Sequence, residues 1–267
     1  MLSKFLLQLK MIKAKKHFGQ NFLKDKSVLE KITQAIPKYV KDIVEIGPGL
    51  GDLTQELLKK ARVQAYEIDS ELIPYLRKKF QKYILDDKLE LVNLDASEFF
   101  REKMSSKEYF LVANLPYYIA SSLVLSALED ENCLGLLVML QKEVAQKFCA
   151  TKLDSNYGAL SVLSELICER KLISEVSQEC FEPAPKVKSA LILLEKHSNY
   201  GDICEIEDFK AFLKECFKAP RKRLANNLSN KVLFEILRYL DIQDDVRPHQ
   251  LSAKDYLKIF TQLKERK

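Results

Sequence analysis

The sequence lacks the patterns that mark several large classes of protein. Its six cysteines contain no CxxC pair, which argues against a structural zinc site, and they are too sparse for a disulfide scaffold. Its three histidines contain no HExxH spacing, and no GxSxG elbow occurs, so common hydrolase signatures are missing. The longest apolar run, residues 133–140, is far shorter than the roughly 20 residues of a membrane-spanning helix. We therefore expect reduced thiols in the core, no bound metal and no membrane segment.

The composition that is present is typical of a globular protein. The chain has 267 residues, of which 47% are hydrophobic and 30% charged, and this balance excludes intrinsic disorder. Its 43 lysines and arginines against 38 aspartates and glutamates give a formal net charge of +5, which allows a nucleic-acid partner without requiring one. Residues 1–10 are apolar and flanked by lysine, but no small-residue cleavage site follows. We expect them to be a dispensable extension of a cytoplasmic protein.

Two kinds of periodicity divide the chain. Residues 41–196 alternate short apolar runs with longer amphipathic stretches, which is typical of βαβ units and a parallel sheet. Beyond a polar link at residues 197–202, the periodicity is helical. We therefore predict an α/β fold, with a Rossmann-like sheet in residues 1–200 and a small all-helical domain in residues 201–267. The predicted strands are residues 43–46, 63–68, 89–92, 110–113, 134–140 and 190–194, and the predicted helices between them are residues 50–60, 70–81, 119–128 and 142–150.

A glycine-rich turn, EIGPGLG at residues 45–51, joins the first predicted strand to the first predicted helix. Gly47, Gly49 and Gly51 allow a tight turn and let a ligand approach the backbone. The spacing is GxGxG rather than the GxGxxG of dinucleotide oxidoreductases, which disfavours a nicotinamide enzyme. A purely structural turn is the alternative.

Acidic residues follow the next two predicted strands. Glu67 lies twenty residues after Gly47, where a carboxylate can accept hydrogen bonds from both ribose hydroxyls of an adenosine-containing ligand. Asp95 follows the third strand, where it could bind the adenine amine. Glu67 or Asp69 could instead cap the next helix, and Asp95 could cap the helix that follows it. Three acids beside one glycine turn favour a nucleoside ligand without a pyrophosphate.

The tetrapeptide Asn114-Leu115-Pro116-Tyr117 follows a predicted strand and so lies at the carboxyl edge of the sheet. The exocyclic amine of adenine is a poor nucleophile, because its lone pair is delocalised into the ring. Two acceptors, the side-chain carbonyl of Asn114 and the backbone carbonyl of Leu115, would favour a pyramidal amine that attacks a methyl group. Pro116 restricts Leu115 to an extended conformation, and Tyr117 offers a flat face for an unstacked base. The tetrapeptide predicts methyl transfer to an adenine amine, with a plain loop as the alternative.

These motifs, in this order, resemble the ribosomal RNA adenine dimethyltransferase family, which converts adenosines to N6,N6-dimethyladenosine with S-adenosylmethionine. The resemblance runs from Lys15 onward and includes KKHFGQNFL at residues 15–23 and segments at 138–144, 157–161 and 183–190. It implies a class I methyltransferase sheet, S-adenosylmethionine as the cofactor, and catalysis at residues 114–117. The cofactor-binding positions that it implies are Gln20, Asn21, Leu23, Gly47, Gly49, Gly51, Glu67, Ile68, Asp95, Ala96 and Asn114.

Two tail segments resemble the bacterial small-subunit branch of that family more than its antibiotic-resistance branch, which acts on large-subunit RNA. They are RKRLANNL at residues 221–228 and RPHQL at residues 247–251. The small-subunit branch dimethylates two adjacent adenosines in the 3′-terminal hairpin of its RNA. The resemblance implies small-subunit ribosomal RNA, or the immature small subunit, as the partner, and we expect a monomer. Tyr118, Ala120 and Ser122 depart from the family pattern but leave the acceptor pair and Tyr117 intact.

Basic residues cluster where an RNA backbone could bind. Between Lys210 and Lys231 there are seven basic residues against the single acid Glu215, a pattern that suits phosphate contacts. A solvated helix face is the alternative for any single lysine. DNA adenine methylation and a non-enzymatic assembly factor with the same fold also remain open. The predicted RNA-binding residues are Lys15, Lys16, Lys218, Arg221, Lys222, Arg223 and Arg247.

Overall fold

The structure is a computed structural model, and it describes residues 14–15, 18–100, 103–198, 203, 205–228 and 232–266. The predicted extension at residues 1–10 and the predicted RNA contact at Lys16 lie outside the described residues.

Seven strands form one sheet in the order β4-β3-β2-β5-β6-β9-β7, and β1 pairs with β8 in a separate antiparallel ribbon. Strand β2 pairs in parallel with β3 and with β5, β3 with β4, and β5 with β6. The predicted α/β fold class is therefore confirmed. The strands are β1 (Phe22–Leu23), β2 (Asp42–Ile46), β3 (Arg62–Glu67), β4 (Leu89–Asn93), β5 (Tyr109–Asn114), β6 (Cys133–Gln141), β7 (Cys168–Val176), β8 (Phe181–Glu182) and β9 (Ser189–Lys196).

The strand order reverses between β2 and β5, because the chain runs outward from β2 through β3 to β4 and then returns to β5 on the other side. At such a reversal, the loops that leave the carboxyl ends of the two central strands turn away from each other and open a crevice. The glycine turn after β2 and the tetrapeptide that begins at the last residue of β5 both lie at this edge.

Burial explains which strands the sequence could reveal. Strands β5 and β6 are almost wholly buried, so they read as the continuous apolar runs of a sheet covered on both faces. Strand β7, at the sheet edge, exposes or half-exposes most of its side chains and carries the polar sequence CERKLISEV. Its apolar signal is correspondingly weak, and this strand was missed. Cys133 and Cys168 contribute buried thiols that form no disulfide to β6 and β7, as expected, and Cys204 lies outside the described residues.

The helices fill the connections between strands and continue to the end of the described chain. None of them in the described part of the chain is long and apolar enough to span a bilayer. They are α1 (Lys26–Ala35), α2 (Asp52–Leu57), α3 (Leu72–Lys79), α4 (Gln81–Leu85), α5 (Ala120–Glu129), α6 (Lys142–Cys149), α7 (Ala159–Ile167), α8 (Ile206–Cys216), α9 (Leu224–Asn227), α10 (Leu233–Tyr239) and α11 (Ala253–Glu265).

The described residues group into two compact units. The first contains those of Met1–Lys142 and Ile173–Leu191, and the second those of Glu143–Leu172 and Ile192–Lys267. The domain boundary predicted at residues 200 and 201 stays a prediction.

The second unit has an aromatic core built by its helices. Phe209 and Phe260 meet edge to face with ring centroids 5.2 Å apart, and Tyr256 is fully buried with its hydroxyl donating to the carbonyl of Pro248 at 2.7 Å. Helix α11 begins at Ser252, whose side chain accepts from the N–H of Asp255 while the Asp255 carboxylate accepts from Ser252. These contacts bring together the apolar residues whose helical spacing the sequence showed.

Candidate active site

A cleft in the first unit lies at the carboxyl ends of β2, β3 and β5. Its empty volume is about 500 Å³, open solvent included. Ten residues predicted as catalytic or cofactor-binding line it together with Phe18, Gly19 and Phe22. The ten are Gln20, Asn21, Gly47, Gly49, Glu67, Ile68, Asn114, Leu115, Pro116 and Tyr117.

The glycine turn forms the floor of this cleft. Gly47 has φ +70°, and a Cβ built on it would meet nothing within 4 Å, so its open side adjoins empty space. Gly49 has φ +56°, and a Cβ there would lie 2.8 Å from Cδ1 of Phe22. Glycine is therefore required at position 49, because any side chain would collide with the aromatic ring that β1 places against the turn.

Glu67 links the glycine turn to the end of β3. One carboxylate oxygen accepts from the N–H of Gly49 at 3.0 Å, and the other accepts from the N–H of Asp69 at 2.9 Å. The side chain is buried, and burial raises the pKa of Glu67, while the two backbone N–H donors act in the opposite direction. Each oxygen keeps a second lone pair, so Glu67 can still accept a hydrogen bond from a ligand hydroxyl.

The acceptor pair predicted from the tetrapeptide is present. The Nδ2 amide of Asn114 donates to the backbone carbonyl of Asn21 at 2.9 Å, and Oδ1 receives no hydrogen bond from any described residue. The N–H of Leu115 donates to Met139 at 3.3 Å, and within the described chain its carbonyl likewise receives none. Two acceptor oxygens on adjacent residues that line the cleft thus remain available to a ligand.

The segment before β1 is tied to the end of β3 by ionic contacts. The Lys15 ammonium lies 2.8 Å from Asp69 and 3.0 Å from Glu71, and the Gln20 amide donates to Asp69 at 3.1 Å. Burial opposes ionisation of Asp69, yet the hydrogen bonds from Lys15 and Gln20 lower its pKa below the ordinary value. Lys15, predicted to bind RNA, is engaged here with two carboxylates.

Four predicted cofactor residues do not line the cleft, and their roles stay predictions. Leu23 borders a smaller neighbouring cavity beneath the glycine turn. Gly51 is buried against Phe80, whose Cε2 would lie 2.5 Å from a Cβ at that position. Asp95 accepts from the N–H of Ser97 at 2.9 Å, which is the capping role that the sequence left open, and Ala96 is buried beside it.

Sequence reasoning did not assign several residues around the cleft. Phe18, Gly19 and Phe22 belong to the KKHFGQNFL motif, so a local signal for them existed. Ser189 belongs to the resembling segment at residues 183–190 and does not line the cleft, but its Oγ lies 2.6 Å from the hydroxyl of Tyr117, 72 residues away in sequence. Tyr118 is 62% exposed, and its ring would lie 3.4 Å from a Cβ at Gly19, so it covers the motif from outside.

Behind the cleft, β2 carries a buried acid. Glu45 is 1% exposed, and neither carboxyl oxygen has a hydrogen-bond partner within the described residues. Burial raises the pKa of Glu45 from 4.5 to about 8, the charge of Glu67 adds to the rise, and the Lys79 ammonium opposes it. Glu45 is therefore protonated in the folded protein at neutral pH and ionised in the unfolded chain.

Glu45→Gln will stabilise the protein at pH 8 more than at pH 5. A raised folded-state pKa makes the wild-type protein lose stability as pH rises from about 4.5 to about 8, whereas glutamine stays neutral. Because one pKa unit corresponds to about 1.4 kcal/mol, we expect a difference of a few kcal/mol at pH 8. Denaturant unfolding of both proteins at pH 5, 6.5 and 8 measures it, and an equal difference at every pH would contradict the assignment.

The residues of the cleft fit S-adenosylmethionine better than a dinucleotide. The buried Glu67 carboxylate, which lines the cleft, would repel a pyrophosphate, whereas the sulfonium and ammonium groups of S-adenosylmethionine are cationic. The open side of Gly47 admits a ligand directly against the backbone, and Glu67 offers acceptors for ribose hydroxyls. The donor set therefore supports the cofactor that the resemblance implied.

The second unit gathers most of the predicted RNA-binding cations. Arg221, Lys222 and Arg223 are exposed and form no ion pair with any described residue, while Lys218 lies 3.8 Å from Glu215. The N–H of Leu224 donates to the carbonyl of Val246 at 2.8 Å. This bond brings the backbone at Arg223 close to that at Arg247, which is also exposed. The backbone segments that carry Arg223 and Arg247 therefore lie side by side, although they are 24 residues apart in sequence.

Comparison with known proteins identifies the family of the chain. The sequence profile of the ribosomal RNA adenine dimethylase family matches residues 11–265. The ribosomal RNA small subunit methyltransferase A of Campylobacter jejuni (strain RM1221) is 57% identical over 258 residues, which cover 96% of this chain and 97% of the relative. The protein of the same name from Aliarcobacter butzleri (strain RM4018) is 44% identical over 260 residues, with coverages of 95% and 97%.

Two solved structures are similar over nearly the whole chain. A dimethyladenosine transferase from Plasmodium falciparum superposes with a TM-score of 0.80 at 25% identity, covering 92% of this chain and 98% of that one. The 23S rRNA methyltransferase ErmE superposes with a TM-score of 0.69 at 26% identity, with coverages of 91% and 100%.

Proposed function

This chain belongs to the ribosomal RNA adenine dimethylase family and is an S-adenosylmethionine-dependent methyltransferase, and we propose that its substrate is small-subunit ribosomal RNA. We propose that it dimethylates the N6 amines of two adjacent adenosines in the 3′-terminal hairpin, during assembly of the small subunit. The names of the relatives that are 57% and 44% identical support the small subunit over the large. The observation that carries the proposal is the pair of available acceptor oxygens on Asn114 and Leu115 in the cleft.

In the proposed reaction, S-adenosylmethionine supplies an electrophilic methyl group on a sulfonium. The target adenosine leaves its stack, and the ring of Tyr117 supports the base. Oδ1 of Asn114 and the carbonyl of Leu115 accept the two hydrogens of the N6 amine, which localises the nitrogen lone pair. The amine nitrogen bonds to the methyl carbon as the carbon–sulfur bond breaks, and its surplus proton passes to water.

The second transfer uses the same arrangement with one acceptor fewer. After the first methylation, the amine keeps one hydrogen, so only one of the two oxygens can hold it. Asn114 is the better placed of the two, because its amide is fixed from the other side by Asn21. The cleft must also accept a methyl group on N6.

The proposal is tested by incubating the protein with radiolabelled S-adenosylmethionine and unmethylated small ribosomal subunits, followed by nucleoside analysis. We expect N6,N6-dimethyladenosine at two adjacent positions of the 3′-terminal hairpin. Label in duplex DNA, in large-subunit RNA, or in no RNA at all would contradict it. The proposal includes the monomeric state and cytoplasmic location expected from the sequence, and RNA contact by residues 201–267; sedimentation equilibrium tests the first.

Glu67→Gln will weaken S-adenosylmethionine binding by about tenfold or more. In the wild-type protein, the two carboxylate oxygens of Glu67 accept the N–H groups of Gly49 and Asp69. A glutamine amide would instead turn an NH₂ group toward one of these N–H groups. The donor–donor contact disturbs the turn, and the acceptor for a ribose hydroxyl is lost. Isothermal titration calorimetry measures the dissociation constant, with Glu90→Gln on the exposed surface of β4 as the control. Equal affinities of the Glu67 variant and the wild-type protein would refute this role.

A further inference from the structure

Tyr117 is held by a residue outside the tetrapeptide. Its hydroxyl lies 2.6 Å from Oγ of Ser189, a short contact in which either oxygen can donate. Ser189 is fully buried at the first position of β9, and Tyr117 is half-buried and lines the cleft. The strand order places β6 between β5, which leads into the tetrapeptide, and β9. The contact therefore connects the loop after β5 to β9, which lies two strands away in the sheet.

This hydrogen bond restricts the side chain of Tyr117, which the backbone leaves free to move. Pro116 sets the direction of the main chain, but the tyrosine ring can still rotate about two side-chain bonds. A hydroxyl held by a buried serine on the sheet limits rotation about the Cα–Cβ bond and so fixes where the ring lies, because Ser189 itself cannot move without disturbing the core. The next residue, Tyr118, differs from Tyr117 in burial, because Tyr118 is 62% exposed.

We infer that Ser189 is a positioning residue, which holds the ring of Tyr117 at the place where the target adenine stacks. This inference rests on the proposed function, because it concerns how that substrate is held. Reactions that depend on near-attack geometry are sensitive to small displacements of the supporting group. Burial raises the pKa of the Tyr117 phenol, so the hydroxyl stays protonated and able to share a hydrogen with Ser189.

The inference is tested by a double-mutant cycle with Ser189→Ala, Tyr117→Phe and the combined variant. Ser189→Ala removes the serine hydroxyl, and Tyr117→Phe removes the phenol hydroxyl but keeps the aromatic ring. Each single change therefore breaks the contact. We expect each single variant to lose about tenfold in kcat/KM for methyl transfer to the small subunit, and the double variant to lose no more than either one. The affinity for S-adenosylmethionine should stay within about twofold, because neither group belongs to the cofactor side of the cleft.

Ser164→Ala is the matched control. Ser164 is also a fully buried serine, its hydroxyl donates to the backbone carbonyl of Phe148 in the second unit, and it does not line the cleft. It should lower the melting temperature and leave kcat/KM unchanged at a temperature where the protein is folded.

Three outcomes would overturn the inference. They are wild-type kcat/KM in Ser189→Ala, losses that multiply in the double variant, and a loss of cofactor affinity that parallels a loss of melting temperature. Failure of the proposed function would be seen separately, because the wild-type protein would then not methylate the small subunit.

Discussion

Asn114→Ala will lower methyl transfer to the small subunit by about 10²–10³-fold, the range found when one preorganised polar group is removed from an active site. The change removes Oδ1, the side-chain acceptor that has no other partner among the described residues. The Leu115 carbonyl alone cannot localise the lone pair of an amine with two hydrogens. Single-turnover transfer of labelled methyl groups measures the loss.

Binding of S-adenosylmethionine should survive this change with a loss of only a few fold. The variant also loses the hydrogen bond from Asn114 to the Asn21 carbonyl, which steadies one wall of the cleft. Asn132→Ala is the matched control, because the Asn132 amide also donates to a distant backbone carbonyl, that of Ser105, at 2.9 Å, and does not line the cleft. Rapid transfer by the Asn114 variant, or equal losses in both variants, would remove the basis of the proposed chemistry.

Replacing Arg221, Lys222 and Arg223 together with alanine will lower the affinity for the small subunit by tenfold to a hundredfold at moderate salt. These three cations form no ion pair within the described part of the chain, so they are available to phosphates. Each phosphate contact adds about 0.7–0.9 to the slope of log K against log salt, so the slope should become shallower by about two. Filter binding at several salt concentrations measures both quantities.

A second triple variant tests whether the position of the charge matters. Lys60, Lys82 and Lys88 are exposed lysines of the first unit, and Lys60 and Lys88 lie just before the amino ends of β3 and β4, at the sheet edge opposite the cleft. Replacing them with alanine changes the net charge by the same amount. If this control weakens RNA binding as much as the arginine-containing cluster does, the affinity depends on overall charge and the proposed surface is wrong.

Much of the fold could be predicted because buried parallel strands carry a strong local signal. All six predicted strands exist within one or two residues, since most of their residues are apolar. The sequence did not predict helix α1 or strand β7, for two different reasons. Strand β7 is polar because it lies at the sheet edge, and α1 precedes the alternating pattern on which the prediction depended.

The candidate site was predictable where its residues are adjacent in sequence. The glycine turn and the tetrapeptide each depend on a few neighbouring residues at the end of one strand, and both line the cleft. Asp95 and Gly51 show the limit of such reasoning. An acid or a glycine after a strand has the same local pattern whether it binds a ligand, caps a helix or packs against Phe80.

The sequence by itself determined the kind of sheet, and it led to the proposed site at one sheet edge and to the proposed acceptor residues, because these follow from periodicity and from local backbone restrictions. Only the tertiary structure decided how those residues are aimed. The amide of Asn114 is oriented by Asn21, 93 residues away, and Lys15 is paired with Asp69 across 54 residues. Hydrogen-bond direction depends on which partner lies within about 3 Å, and that distance is set by how the chain folds back on itself.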